Sequence, residues 1–187
     1  MGHIEEFMRE VSVIAHGLDW DGIESMVQAL QKPQRIFFIG LGGSHANAQH
    51  AAADFRKLCG LQAFAFDNAA ELTARMNDEG AERIFVDWLK AHRATSADAI
   101  FVLSVGGGTK EVSQGILAAV LYAKANAMPV FGIVGPHGNA TAQDGDHVIR
   151  VPVENAAHAT PHTEAFQAVI WHALVSHPQL QRTPTKW

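Results

Sequence analysis

Residues 35–54 read Arg35-Ile-Phe-Phe-Ile-Gly40-Leu-Gly-Gly-Ser44-His-Ala-Asn-Ala-Gln-His50-Ala-Ala-Ala-Asp54, and this stretch decides the fold. A short apolar run, 35–39, ends in a glycine turn and passes into the alanine-rich segment Ala46–Leu58. That order predicts a buried strand, a tight turn and a helix. The unit recurs downstream: Asp98–Leu103 as strand, Ser104-Val-Gly-Gly-Gly-Thr109 as glycine turn, Glu111–Ala125 as helix. Further strands are expected at Gln62–Phe66, Met128–Val134 and His147–Val153, and helices at 68–75, 81–92 and Thr163–Ser176. Strands alternating with helices predict an α/β fold, a three-layer αβα sandwich around a mostly parallel five-stranded sheet.

Upstream, Ile4, Phe7, Met8, Val11, Ile14 and Ala15 recur at helical spacing, so 3–16 is expected to be an amphipathic helix. Ile23, Met26, Val27 and Leu30 predict a second over Asp21–Leu30, stopped by Pro33. No linker long enough to divide the chain is present, so 1–187 is expected to form one domain. Within it, 1–32 supplies N-terminal helices, 33–177 the αβα core, and 178–187 a tail that frays or docks on a partner subunit. A chain of 187 residues with 48% hydrophobic content is not globally disordered. Its net charge of −5 argues against direct nucleic-acid binding. The lone Cys59 excludes an intrachain disulfide and fits a reducing compartment. No apolar run approaches the ~20 residues of a membrane span, and MGHIEEFMRE is unlike a secretory signal. The expectation is a soluble cytoplasmic protein that engages no membrane.

In a parallel sheet, ligands collect at the carboxyl ends of the strands. Both glycine loops lie there, each expected to open a helix whose amides can meet an anion. Gly40-Leu-Gly42 with Asp67 imitates a dinucleotide fingerprint, but His45 stands where the third glycine belongs. Gly108-Thr109-Lys110 lacks the Walker order and spacing. Hydroxyls at Ser44, Ser104 and Thr109, without an essential lysine, suit a small phosphomonoester. His50 and Asp54, at i and i+4, suit shared metal ligation or a His–carboxylate hydrogen bond, and a solvated surface pair has the same spacing. Glu164 and His172 lie on a largely apolar helix, eight residues or about 12 Å apart. One ion takes both only with bent side chains, a distorted helix or help from a second subunit; otherwise His172 is a packed core histidine.

These residues resemble the GNGGS…H…E segment of the phosphoheptose isomerases, within the sugar isomerase (SIS) domain superfamily. The resemblance continues through Asn77-Asp-Glu-Gly80, Ser104–Thr109, Gly132-Ile-Val-Gly135 and the Glu164…His172 helix, covering nearly the whole chain. It implies a flavodoxin-like sandwich, a homotetramer packed through the N-terminal helices with sites at subunit interfaces, and isomerisation of sedoheptulose 7-phosphate or a similar sugar phosphate. It also implies a divalent metal, zinc, held by His50, Asp54, Glu164 and His172. Proton transfer falls to Asp54 or Glu164 with His172. Phosphate and sugar contacts fall to Gly42, Gly43, Ser44, Asp78, Ser104, Gly106, Gly107 and Thr109. Four departures stand out: Leu41 replaces an Asn, Val105 and Gly106 lack hydroxyls, Asp54 is one methylene shorter than Glu, and Glu164 replaces Gln.

A non-catalytic reading competes, because some SIS relatives bind sugar phosphates as regulators and one similar bacterial protein binds the replication initiator. A NAD-dependent enzyme is a distant third, weakened by His45. Asp78 is equally a solvated turn acid, and His137 reads as a turn residue. Trp20, Trp88 and Trp171 read as helix packing and Cys59 and Met128 as core. Of the eleven histidines, His158 receives no role and His162 only a low-weight one.

Overall fold

A computed structural model describes residues 2–186. Five strands, β1 (Arg35–Ile39), β2 (Gln62–Ala65), β3 (Ala99–Ser104), β4 (Val130–Val134) and β5 (His147–Arg150), form one sheet in the order β2-β1-β3-β4-β5. Every pairing is parallel, so the sheet is all-parallel where the sequence predicted mostly parallel. Alternation explains why both faces are covered. Ile36 and Phe38 of β1 enter one core and Phe37 and Ile39 the other.

The first core is closed by α1 (His3–Gly17), α2 (Trp20–Ala29), α3 (Gly43–Cys59) and α8 (Ala159–Ser176). The second is closed by α5 (Ile84–Ala91) and α6 (Gln114–Ala125). Aromatic side chains dominate both: Phe38 stacks on Phe101 with centroids 4.8 Å apart, and Phe37 meets Trp88 edge-on at 5.3 Å. α4 (Ala69–Asp78) buries no residue fully, and Asn68 Oδ1 caps it by accepting from the Ala70 and Glu71 amides.

The chain runs outward from β1 to β2, then returns to the far side of β1 as β3. The loops after β1 and β3 therefore part at the switch point, where an open α/β sheet leaves a crevice. Both glycine loops flank that crevice.

Three expectations change. The second glycine loop does not run straight into its helix: α6 begins at Gln114, not Glu111. Thr109 Oγ1 accepts from the Glu111 and Val112 amides, closing a separate turn first, and Ser113 then takes φ 58°. A short helix, α7 (Asn139–Asp144), follows β4; six residues are too few to show a hydrophobic period. The first part of the tail packs on its own protomer. Leu180 is buried in the first core, and the Arg182 and Thr183 amides donate to the Leu58 carbonyl.

At the opposite, amino-terminal edge, Arg35 ties β1 to the entry of β3. Its Nε and Nη2 each donate to one Asp98 oxygen at 2.8 Å, and Nη1 and Nη2 also donate to the His92 and Arg93 carbonyls. Burial alone would raise the Asp98 carboxyl, but the guanidinium and the Thr95 amide outweigh it and hold it below its ordinary value. Arg35→Ala, leaving a carboxylate that is 1% exposed without its partner, should cost about 3–5 kcal/mol in denaturant unfolding at neutral pH. Because the folded value is the lower one, this contribution is complete above the unfolded value of about 3.9. It should fade as pH falls through the folded value, so wild type and variant should converge in strong acid.

Candidate active site

The site begins where β1 ends. Gly40 is required by close approach: a Cβ there would lie 2.5 Å from the Ser44 carbonyl oxygen and 2.9 Å from that of Leu103. The turn delivers the chain into α3 at Gly43, with no side chain capping its first amides. The space over Gly43 is filled instead by the Glu164 carboxylate, and Ser44 Oγ donates to Glu164 Oε1 at 3.4 Å. A carboxylate beside the first turn of a helix is favoured by the helix dipole. It also stands where a substrate anion would profit from the same field.

From Gly43 onward α3 and α8 run side by side in the same direction. Ser44, Asn47 and Asp54 on α3 face Glu164, Gln167 and Trp171 on α8, two polar stripes of helical spacing. Asn47 Nδ2 donates to Gln167 Oε1 at 2.8 Å and to the Glu164 carbonyl at 2.9 Å. Gln167 Nε2 donates to Ser44 Oγ at 3.1 Å. Gln167 is fully buried, so these bonds satisfy an amide that would otherwise destabilise the interface. Further along, Ala48, Ala51 and Ala52 pack in the core, and Cys59 Sγ meets the Val175 carbonyl. Burial raises the Cys59 thiol to about 11, which keeps it protonated and inert.

The two stripes meet chemically at Asp54. His50 Nε2 lies 3.4 Å and His172 Nε2 3.5 Å from the same oxygen, Asp54 Oδ2, and the two imidazoles are 5.5 Å apart at their centroids. His172 Nδ1 donates to the Ala168 carbonyl at 2.8 Å, which leaves Nε2 as the ring atom that faces Asp54. Two metal–ligand bonds of ~2.0–2.1 Å at a tetrahedral angle place their donors roughly 3.3 Å apart. The donor set and its spacing therefore fit a divalent ion such as zinc, with both imidazoles open to solvent.

Glu164 does not join this group. It sits two helical turns before His172, and its side chain turns to Gly43 and Ser44, so within one protomer three of the four ligands expected by resemblance stand together. A second cluster among the described residues has the same chemistry at a different spacing. Glu10 Oε2 lies 2.6 Å from His158 Nδ1 and 2.7 Å from His162 Nε2. Those are charge-assisted hydrogen-bond lengths, shorter than co-ligands adopt. Bonds from Asn155 and His158 hold the Glu10 carboxyl down at about 2. This cluster fastens α1 to the start of α8.

The second glycine loop is pinned against the turn before α7. A Cβ on Gly107, at φ 70°, would collide with the Gly138 carbonyl, and Thr141 donates through its amide and its hydroxyl to the Gly107 carbonyl. Ser104 Oγ accepts from the Gly107 amide at 3.0 Å, and Thr109 Oγ1 is engaged within its own turn. Gly106 is exposed, and its carbonyl accepts from Asn139 Nδ2 at 2.6 Å. Asp78 closes α4 rather than lying in a loop; it is exposed and accepts from Asn77.

Sequence reading missed Asn47 and Gln167 and gave Trp171 a packing role alone. The signal was present in the i, i+3, i+7 spacing of Asn47, His50 and Asp54 against that of Glu164, Gln167 and Trp171.

Comparison with known proteins gives relatives in sequence and in fold. The family model described as SIS domain matches residues 18–135. The phosphoheptose isomerase of Roseiflexus sp. (strain RS-1) is 31% identical over 140 residues, 72% of this chain and 68% of the relative. That of Solidesulfovibrio magneticus is 32% identical over 157 residues, 80% and 72% of the two chains. The solved phosphoheptose isomerase from Neisseria gonorrhoeae superposes with a TM-score of 0.77 at 25% identity, covering 92% of this chain and 93% of the other. With its parallel sheet, its switch-point glycine loops and these relatives, the chain belongs to the phosphoheptose isomerase family of SIS domain proteins.

Proposed function

We propose that the chain interconverts ketose and aldose sugar phosphates, with sedoheptulose 7-phosphate and D-glycero-manno-heptose 7-phosphate, or a similar pair, as substrate and product. The observation that carries this reading is the convergence of His50 and His172 on one Asp54 oxygen, on the helix that the first glycine loop opens. Solved and curated relatives named phosphoheptose isomerase support it. Isomerisation removes a proton from the carbon next to the carbonyl, passes through an enediol and returns a proton to the neighbouring carbon. Asp54 is the base, and His172 exchanges the proton with the oxygen that gains or loses it. Glu164, on α8 beside the start of α3, carries a proton at the loop end of the sugar. His50 and Asp54 would hold a divalent metal, zinc in this proposal, which when bound polarises the carbonyl, while His172 keeps Nε2 for the proton.

Gly42, Gly43 and Ser44 of the first loop and Ser104, Gly106, Gly107 and Thr109 of the second anchor the phosphate and so place the reacting carbons. Asp78 contacts a sugar hydroxyl. The chain folds as one SIS domain and acts as a cytoplasmic homotetramer with sites at subunit interfaces. Ile4, Met8, Val13 and Trp20 leave apolar surface uncovered on the N-terminal helices, which supports that assembly. No helix is long and apolar enough to cross a membrane.

One observation favours a second reading, a sugar-phosphate-binding regulator without catalysis. The Ser104 and Thr109 hydroxyls are both engaged inside their loop. Incubation with five-, six- and seven-carbon ketose phosphates, with and without zinc, separates the two. Aldose formation is expected; binding without conversion would establish the regulator instead.

His172→Ala should lower turnover about 10²–10⁴-fold, the worth of a general acid–base, while calorimetric affinity for the sugar phosphate stays within about twofold. Unchanged turnover would remove His172 from the chemistry. Glu164→Gln removes an anion from the start of α3, where a charge is worth about 0.3–1 kcal/mol. Inorganic phosphate should then bind severalfold more tightly in a competition titration.

A further inference from the structure

Trp171 is 1% exposed, and packing would account for that alone. Its contacts are more specific. The indole Nε1–H donates to Asp54 Oδ2 at 3.3 Å, the oxygen that both His50 and His172 face. The ring also lies against both imidazoles, with centroids 5.3 Å from His50 at 64° and 4.9 Å from His172 at 35°. One side chain therefore touches all three members of the group, by hydrogen bond to the carboxylate and by ring contact to the two bases.

Asp54 has the shorter of the two acidic side chains, and its carboxylate keeps one torsion that would let the oxygens exchange places. A donor fixed in the core removes that freedom. Trp171 sits on α8 directly before His172, held by the buried neighbours Ile170, Leu174 and Val175. Its N–H can occupy one lone pair of Oδ2 and turn the other toward the imidazoles. Oδ1 is then left to the open side of the site. Outer partners of this kind set the orientation of ligating groups and commonly change affinity or rate by about 10–100-fold when removed.

We infer that Trp171 is a positioning residue, whose indole N–H fixes the rotation of the Asp54 carboxylate so that one oxygen serves the His50–His172 pair and the other faces substrate. This rests on the reading of His50, Asp54 and His172 as the reaction centre. Trp171→Phe tests it, since phenylalanine keeps an aromatic ring and deletes only the donor. On the full-length chain, Zn²⁺ affinity by isothermal titration should fall about tenfold or more, and kcat for the ketose phosphate should fall comparably with KM unchanged. The thermal midpoint serves as the control for folding. Zn²⁺ affinity and kcat within twofold of wild type would overturn the inference, as would a wild-type chain that binds no Zn²⁺. If wild type binds Zn²⁺ yet converts no sugar phosphate, the isomerase reading fails while the Zn²⁺ comparison still decides the role of Trp171. Should Trp171→Phe not fold, the indole N–H resonance of Trp171 in the otherwise intact chain supplies the answer. It should shift on Asp54→Asn, and an unmoved resonance would overturn the inference.

Discussion

The parallel pairing of α3 with α8 is the constraint on which the rest of the site depends. Close-packed interfaces tolerate polar groups only where each finds a partner. Here Ser44, Asn47 and Gln167 satisfy one another across the seam, and Asn47 also bonds the Glu164 carbonyl. That ladder fixes the register of the two helices. The register in turn decides that Asp54 meets Trp171 and His172 rather than residues a turn away. A one-turn slip along α8, about 5.4 Å, would separate the histidines and leave a buried amide without partners.

The sheet supplies the other half of the geometry. Reversal of strand order between β1 and β3 opens the crevice, and Gly40 brings the turn back against β3 closely enough for α3 to start beside it. The Arg35–Asp98 pair holds the opposite edge of the same two strands. Two clusters of His and carboxylate illustrate how spacing separates roles among identical residue types. Donors near 3.4 Å apart at Asp54 leave room for an ion, whereas the contacts of 2.6 and 2.7 Å at Glu10 are a closed hydrogen-bonded clasp.

Much of this was legible in the residues themselves. The repeated strand, glycine turn and helix predicted the parallel sheet, and the boundaries of β1 fell where the apolar run and Gly40 placed them. The pairing of His50 with Asp54 follows from i,i+4 geometry, and the gap between Glu164 and His172 follows from helical rise. What was hidden is tertiary. Periodicity says that Trp171 and Gln167 face inward, but not that they face Asp54 and Asn47. The turn that delays α6 depends on Thr109 capping its own loop, and the Glu10 clasp joins residues nearly 150 positions apart, so neither leaves a local signature.

In the proposed reaction, groups converging on Asp54 move a proton between adjacent carbons of a sugar phosphate. Conversion of sedoheptulose 7-phosphate in heavy water, followed by proton NMR and mass spectrometry with zinc supplied, tests it most directly. The predicted result is an aldose phosphate carrying solvent deuterium at the carbon next to the new carbonyl. Ketose recovered with neither aldose nor deuterium, from a folded chain that still binds it, would contradict the account.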